Sequence, residues 1–417
     1  MSAIANIKRI ALLALTLGLA ASFGAKANEI VKIAFVDVLT GPFAATGQGA
    51  LNQLREVVSQ LNATAQKDDP VFEIVPFDGK GTPQESANAL RAAYDQKIRF
   101  LTQGGGSGVA FALVDAINKQ AQREETGEMV YLNYAAMDPG LTNDKCSFWH
   151  FRFFPSSEMQ IEALTTYLKD QSGVKKVYLL NQNYTHGQQV AKASRAYLSK
   201  KRPDVEIVGE DYVPIGAVRD YAPYVAKIAR SGADTVITSN WGSDLALLLK
   251  ASREFGLSTN FYTLNANNPG IPSQIGEWGV NRVNVIWNWG SNAPAPVLEK
   301  IATSFKQKTG EDFIFAAHWN GMQMLRAAMT KAKSTEPRKV AFALEGMRYQ
   351  SPVGEVVMRA DDHQLQAPMY LGVWTKKGER GVRYEAETTG YGFRSEVVWG
   401  AAESTQPTSC KMSRPSK

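Results

Sequence analysis

Phe100-Leu101-Thr102-Gln103-Gly104-Gly105-Gly106-Ser107-Gly108-Val109-Ala110-Phe111-Ala112-Leu113-Val114 is the stretch whose reading decides the fold. Phe100 to Thr102 end an apolar, β-like run, and from Val109 onward apolar residues recur at helical spacing. A strand that feeds a helix through consecutive glycines brings backbone close to whatever lies beyond the strand end. Free N–H groups at the helix start, with Ser107 as the expected N-cap, favour an anion such as a carboxylate. The same glycines also serve a plain tight turn that needs their dihedral freedom. Sharper chemistry is excluded. The dinucleotide fingerprint and the G-x-S-x-G elbow both need glycine where Val109 stands, and no Gly-Lys-Ser/Thr follows to make a P-loop.

Working outward, Ile30 to Val38 reads as a buried strand, Leu39 to Gly47 as a loop and Gln48 to Leu61 as a helix. Val71 to Asp78 is a second strand, and a helix starts near Thr82-Pro83. Met129 to Tyr134 follows the glycine turn as another strand. The pattern restarts with strands at Val174–Leu180, Val205–Gly209, Asp234–Thr238 and Phe261–Leu264, separated by helices at Gly187–Lys200 and Tyr221–Ser231. Helices recur at Pro296–Lys308, Ala316–Lys333 and Arg338–Leu344. Strands alternating with helices mean βαβ units, parallel sheets and two α/β lobes. Two such sheets share a cleft beyond the carboxyl ends of their strands. Ser147 to Arg152 is the expected first crossing between lobes. From Lys376 on, the polar and weakly patterned sequence is expected to be a loose tail unless Cys410 ties it down.

The N-terminus indicates export. Lys8 and Arg9 precede the apolar run Ile10 to Ala20, and Ala25-Lys26-Ala27 is an A-x-A cleavage signal, so the mature chain is expected to start at Asn28. The run is too short to span a membrane, which takes about 20 residues. Without Lys8, Arg9 and Lys26 the balance is 43 basic against 40 acidic residues, which gives no electrostatic case for nucleic acid. Cys146 and Cys410 are the only cysteines. In an exported chain they favour one disulfide over two buried free thiols.

With these features in hand, the chain resembles the type I periplasmic binding proteins, and within them the leucine/isoleucine/valine-binding receptors of ATP-driven importers. The resemblance rests on an opening strand that runs into Leu39-Thr40-Gly41-Pro42, the Gly-Ser turn, and Asn133-Tyr134-Ala135-Ala136-Met137-Asp138-Pro139-Gly140-Leu141-Thr142. Phe151-Arg152, the segment ending His186-Gly187, and Ser231-Gly232-Ala233-Asp234 follow in the family's order. It implies two Rossmann-like lobes with parallel sheets joined by a multi-strand hinge, closing like jaws on a small ligand. Lobe 1 would comprise 28–148 with 284–350, and lobe 2 149–283 with 351–417. It implies a periplasmic monomer that binds a small molecule, uses no cofactor, and docks on an ABC permease in the inner membrane.

The resemblance also assigns contacts. Ser107, with Gly106, matches the group that holds a ligand carboxylate, and Ala135 matches a main-chain contact. Met137 replaces a threonine hydroxyl; His186 and Trp241 fall at aromatic positions. Asn265 aligns with the acid that pairs with the ligand's ammonium group, and Thr46 falls where the first loop often offers an aromatic. An amide cannot neutralise an ammonium group, so an acid lacking an amino group becomes a candidate ligand beside the branched-chain amino acids.

Read from the residues alone, Phe43 and Tyr134 lie on loops at strand ends and can supply apolar walls, and Trp241 follows a strand at its carboxyl end. Trp319, beside His318, is expected in packing. The histidines, at 150, 186, 318 and 363, show no metal-type pairing, and Asp361-Asp362-His363 reads as a solvated loop. Lys200-Lys201-Arg202 and Lys331 to Lys333 read as solvated faces. No nucleophile–base set is legible, which argues against an enzyme. A sensory receptor module on the same fold is the alternative to transport.

Overall fold

The computed structural model describes residues 28–416; the expected leader and cleavage signal lie outside them. Eight-residue β1 (Ile30–Asp37) and β2 (Val71–Asp78) pair in parallel, and β3 (Phe100–Gln103), β4 (Val130–Asn133) and β5 (His150–Arg152) extend the sheet in the order β2-β1-β3-β4-β5. A second sheet repeats this plan with β6 (Lys176–Gln182), β7 (Glu206–Val213), β8 (Thr235–Thr238), β9 (Asn260–Thr263) and β10 (Val283–Trp287). Their order, β7-β6-β8-β9-β10, is the same doubly wound topology. Strands β3, β4, β8 and β10 are buried on both faces, as continuous apolar runs between helices must be.

The helices carry the expected end chemistry. Thr82 caps helix Pro83–Asp95, its hydroxyl accepting from the Glu85 N–H at 3.3 Å. The first helix, Ala44–Ala63, begins four residues before the expected start, because Gly41 turns with φ +87° and the Ala44 N–H reaches its carbonyl. That early start puts Thr46 on its first turn.

The lobe boundaries differ from the expected ones. Strand β5 belongs to the first sheet and β10 to the second, so the chain crosses after Arg152 and again after Trp287. Helices Ala316–Ala332 and Pro337–Leu344 then return to the first lobe, where the former packs on Ala44–Ala63 and the latter reaches β4. A small antiparallel sheet, β11 (Arg348–Ser351), β12 (Gly354–Met358) and β13 (Leu365–Gln366), precedes the third crossing. The chain then enters β14 (Met369–Lys376), antiparallel to β10.

Three sequence expectations are corrected here. The polar stretch after Lys376 contains β15 (Tyr391–Trp399), a nine-residue edge strand paired antiparallel with β14. Its polar side chains belong to the outer face of an edge, which suppresses the hydrophobic pattern. Asp362 and His363 are not a solvated loop but buried. Asp362 pairs with Arg359 and accepts the Gln364 N–H, and His363 stacks on Phe151 with ring centroids 4.0 Å apart. Arg202, expected on a solvated face, is buried and donates to the carbonyls of Leu168, Gln171 and Val174, with Asp204 as its counter-charge. It satisfies carbonyls at and beyond the end of helix Ser157–Leu168.

The tail beyond β15 is held. Cys146 and Cys410 are joined by a disulfide. Beside it Thr408 Oγ1 donates to the Thr142 carbonyl at 2.8 Å, and Arg414 pairs with Glu345 at 2.7 Å. A cross-link spanning 264 residues removes much unfolded-chain entropy. The Cys146→Ser/Cys410→Ser double variant is expected to lose about 2–5 kcal/mol in urea unfolding. Equal midpoints for the oxidised native chain and the variant would contradict this.

Candidate ligand cleft

Both doubly wound sheets reverse strand order at one point, between β1 and β3 in the first and between β6 and β8 in the second. The crevice beyond those strand ends is where such sheets bind ligands. There the structure encloses ≈ 430 Å³, counting its open mouth. From the first lobe come Thr46, the turn Gly104 to Ser107, and Tyr134 to Met137. The second lobe adds Tyr184, His186, Trp241, Asn265 and Asn268, while Trp287 and Phe315 close the end near the second crossing.

Of the residues singled out in the sequence, Gly106, Ser107, Tyr134, Ala135, Met137, His186, Trp241 and Asn265 line this one cavity. Phe43 does not. It lies tilted against Trp241 with centroids 4.2 Å apart, one ring from each lobe, and so bridges the cleft outside the cavity. Sequence reasoning missed Tyr184, Asn268, Trp287 and Phe315. Tyr184 had a signal, because it follows β6 at the carboxyl end, as Trp241 follows β8.

The glycine turn is built differently from expectation. Gly106, not Ser107, is the N-cap of helix Ser107–Arg123, at φ +91° where a side chain would strain the backbone. Ser107 is the first helical residue, and its hydroxyl accepts the Asp138 N–H at 3.2 Å. With its oxygen so engaged, the Ser107 O–H remains to be donated into the cavity. The N–H groups of Gly104 and Gly105 are already taken, each donating to Asp37 Oδ2 at 3.0 Å. A Cβ on Gly105 would fall 2.1 Å from Asp37 Oδ1, so only glycine permits this approach. Tyr134 Oη donates to the same carboxylate at 2.7 Å. Burial pushes the Asp37 carboxyl up against the lowering effect of these donors.

The remaining walls are neutral and largely aromatic, with a few amide, hydroxyl and imidazole groups among them. No Asp, Glu, Lys or Arg is among the residues lining the cavity. The Ala135 N–H donates to Asn133 Oδ1 at 3.1 Å, which leaves its carbonyl as the main-chain atom for a ligand. Asn265 Nδ2 donates to the carbonyls of Ser239 and Asn240 at 3.2 and 3.3 Å, so its carbonyl oxygen is the unused atom. Trp241 Nε1 donates to Tyr184 Oη at 3.0 Å and holds both rings in place. His186 is buried, and burial, with Arg152 nearby, lowers its pKa to about 4. It is therefore neutral at pH 7 and supplies no positive charge.

Two predictions follow from this geometry. Gly242 has φ +55°, and a Cβ there would meet Phe43 Cδ1 at 2.3 Å. Gly242→Ala is therefore expected to hold the lobes apart, which small-angle scattering with ligand would show as a larger radius than the native closed form. An unchanged radius would remove the Phe43 contact from the closing step. Second, His186 binds fewer protons folded than unfolded between its ordinary 6.5 and about 4. Its contribution to stability is complete above pH 6.5 and is lost as the pH falls toward 4. His186→Gln should flatten the denaturation midpoint across that window; an identical acid-side slope would contradict it.

Comparison with known proteins agrees with this architecture. The periplasmic binding protein family model matches residues 30–379. Leu/Ile/Val-binding protein homolog 4 of Brucella abortus is 32% identical over 409 residues, 96% of each chain. The leucine-, isoleucine-, valine-, threonine- and alanine-binding protein of Brucella ovis, solved in a closed conformation, superposes with a TM-score of 0.81 at 31% identity, covering 93% of this chain and 100% of that one. An R. palustris solute-binding protein in complex with 4-hydroxybenzoate shares the fold at TM-score 0.75 and 17% identity, over 89% of this chain and 97% of that one. The chain belongs to the type I periplasmic binding proteins, in the family of the branched-chain amino acid receptors.

Proposed function

We propose that this chain is an exported solute receptor that closes its lobes on a small apolar or aromatic carboxylate and delivers it to an ABC-type permease. The observation that carries the reading is a cavity with a helix N-terminus and the Ser107 hydroxyl at one end and otherwise neutral, largely aromatic walls. Ser107 and the first turn of its helix form that end. A carboxylate there gains the helix N-terminus and the Ser107 hydroxyl. Tyr134, Tyr184, Trp241, Trp287 and Phe315 offer faces and edges to the body of the ligand. Binding and hinge closure need no chemical step, which accords with a family of receptors.

A second ligand class, branched-chain or other apolar amino acids, has specific support. The Brucella relatives are named for such amino acids, and the Asn265 oxygen and Ala135 carbonyl can accept from an ammonium group. Neither neutralises it, so a buried ammonium would keep part of its desolvation cost, several kcal/mol if unpaired. The neutral walls therefore favour an acid without an α-amino group.

Calorimetry of leucine, phenylalanine and 4-hydroxybenzoate in one buffer distinguishes the two. The aromatic acid is expected to bind more tightly than either amino acid. Tight leucine binding with no response to the acid would reject the preference. Ser107→Ala should weaken whichever carboxylate binds by about 1.5–3 kcal/mol, the range for a hydrogen bond to a charged group. Unchanged affinity would move the carboxylate elsewhere.

A further inference from the structure

Behind the ligand cleft lies a second cavity, ≈ 580 Å³ against ≈ 430 Å³ for the cleft. The two share Trp287, which stands between them as a partition. Its Nε1 donates to the Ile314 carbonyl at 3.0 Å and its ring meets Phe154 edge to face at 4.6 Å, so the partition is fixed. Beyond it, Val285, Trp289, Tyr370 and Phe393 present an apolar lining from β10, β14 and β15 and the chain just after β10.

Several polar groups that reach this cavity are already committed. Asp312 accepts from Lys306 Nζ at 2.7 Å and from the Glu387 N–H at 2.5 Å. Asn292 accepts from the N–H groups of Arg383 and Tyr384 and donates to the carbonyls of Tyr384 and Phe393. Tyr384 Oη donates to Glu299 at 2.5 Å. Two lining atoms are both buried and without a partner among the described residues. Trp289 is fully buried and its Nε1–H has no acceptor in the protein, and Asn267 Oδ1 has no donor. The indoles of Trp241, Trp278, Trp287 and Trp374 all donate, to Tyr184 Oη and to the carbonyls of Leu257, Ile314 and Gly276. A buried donor left unpaired beside an apolar cavity marks a place for an acceptor.

We propose that this cavity is a second small-molecule site, separate from the cleft, for an uncharged aromatic compound that carries one hydroxyl. The ring packs among Trp287, Tyr370 and Phe393. The hydroxyl oxygen accepts the Trp289 N–H, and its own proton goes to the Asn267 oxygen. An anion is disfavoured, because the one carboxylate in the lining, Asp312, already holds the nearby Lys306. The ligand of this site thus differs in charge from the carboxylate that suits the cleft.

The probe is 4-fluorophenol, titrated into the native full chain and followed by fluorine NMR. Saturable binding is expected. Trp289→Phe keeps an aromatic ring, though a smaller one, and removes the donor, and should raise Kd at least about fivefold, the loss of one ordinary hydrogen bond. Ala293→Leu, which fills the cavity from a buried wall position, should abolish binding. Trp241→Ala, in the cleft, should leave it unchanged. Loss of binding in Trp241→Ala but not in the other two would place the phenol in the cleft and overturn the proposal. Absence of saturable binding to the native chain would overturn it as well, leaving a cavity that holds only water.

Discussion

The carboxylate of Asp37 is the constraint on which the cleft depends. It sits at the end of β1 and accepts four hydrogen bonds, from the backbone of Val38, Gly104 and Gly105 and from Tyr134 Oη. One buried group thereby fixes the exit of β1, the glycine turn after β3 and the aromatic ring after β4. Hydrogen bonds to a charged group contribute about 1.5–3 kcal/mol each where they are well made, set here against the cost of burying the charge. The arrangement also decides where a ligand can bind. Because the Gly104 and Gly105 N–H groups are held by Asp37, what the turn offers the cleft is the backbone from Gly106 onward and the Ser107 hydroxyl.

A second knot lies where the chain passes between the lobes. Arg152, fully buried at the end of the first sheet, donates to Gln364 Oε1 and to the Asp138 carbonyl, each at 2.6 Å, and to Thr142 Oγ1. Burial lowers its pKa to about 10, which still leaves it charged at neutral pH. The Arg152 N–H donates to the His363 carbonyl at 2.9 Å, and Gln364 Nε2 to the Phe154 carbonyl at 3.0 Å. The first and third crossings are thus stitched side by side just before β14. The chain passes between the lobes after Arg152, after Trp287 and before Met369, and Phe43 meets Trp241 across the cleft from the other lobe.

Much of this was legible in the sequence because it is local. The glycine turn, the restart of the βαβ pattern after Val174 and the cleft positions at strand ends all follow from periodicity and from glycine. The failures have a common cause in long-range pairing. Nothing beside Asp37 announces that it will be buried under residues 67 and 68 positions away. Arg202 looks like the end of a basic surface run until the carbonyls of Leu168, Gln171 and Val174 are brought to it. His363 beside two aspartates looks solvated until Phe151 stacks on it. Phe43 was legible as an aromatic near the cleft, but its partner Trp241 lies on the other lobe, so the contact between them was not.

The same distinction bears on ligand choice. A cleft that recognises a zwitterion needs an anion and a cation site of its own, because each charge leaves water when the lobes close. Here three of the charges near the cavity already hold hydrogen bonds within the protein. Asp37 is spent on the glycine turn, Arg152 on the hinge, and Asp244 accepts from Gln182 Nε2 at 2.6 Å and from the Gly216 N–H at 2.8 Å. What is left to a ligand is the Ser107 and Thr46 hydroxyls, one helix end, the carbonyl-type acceptors of Ala135, Asn265 and Asn268, and several aromatic surfaces. Such a set gives a monoanion one strong anchor and rewards apolar area, whereas it leaves a second charge to be stabilised by dipoles alone.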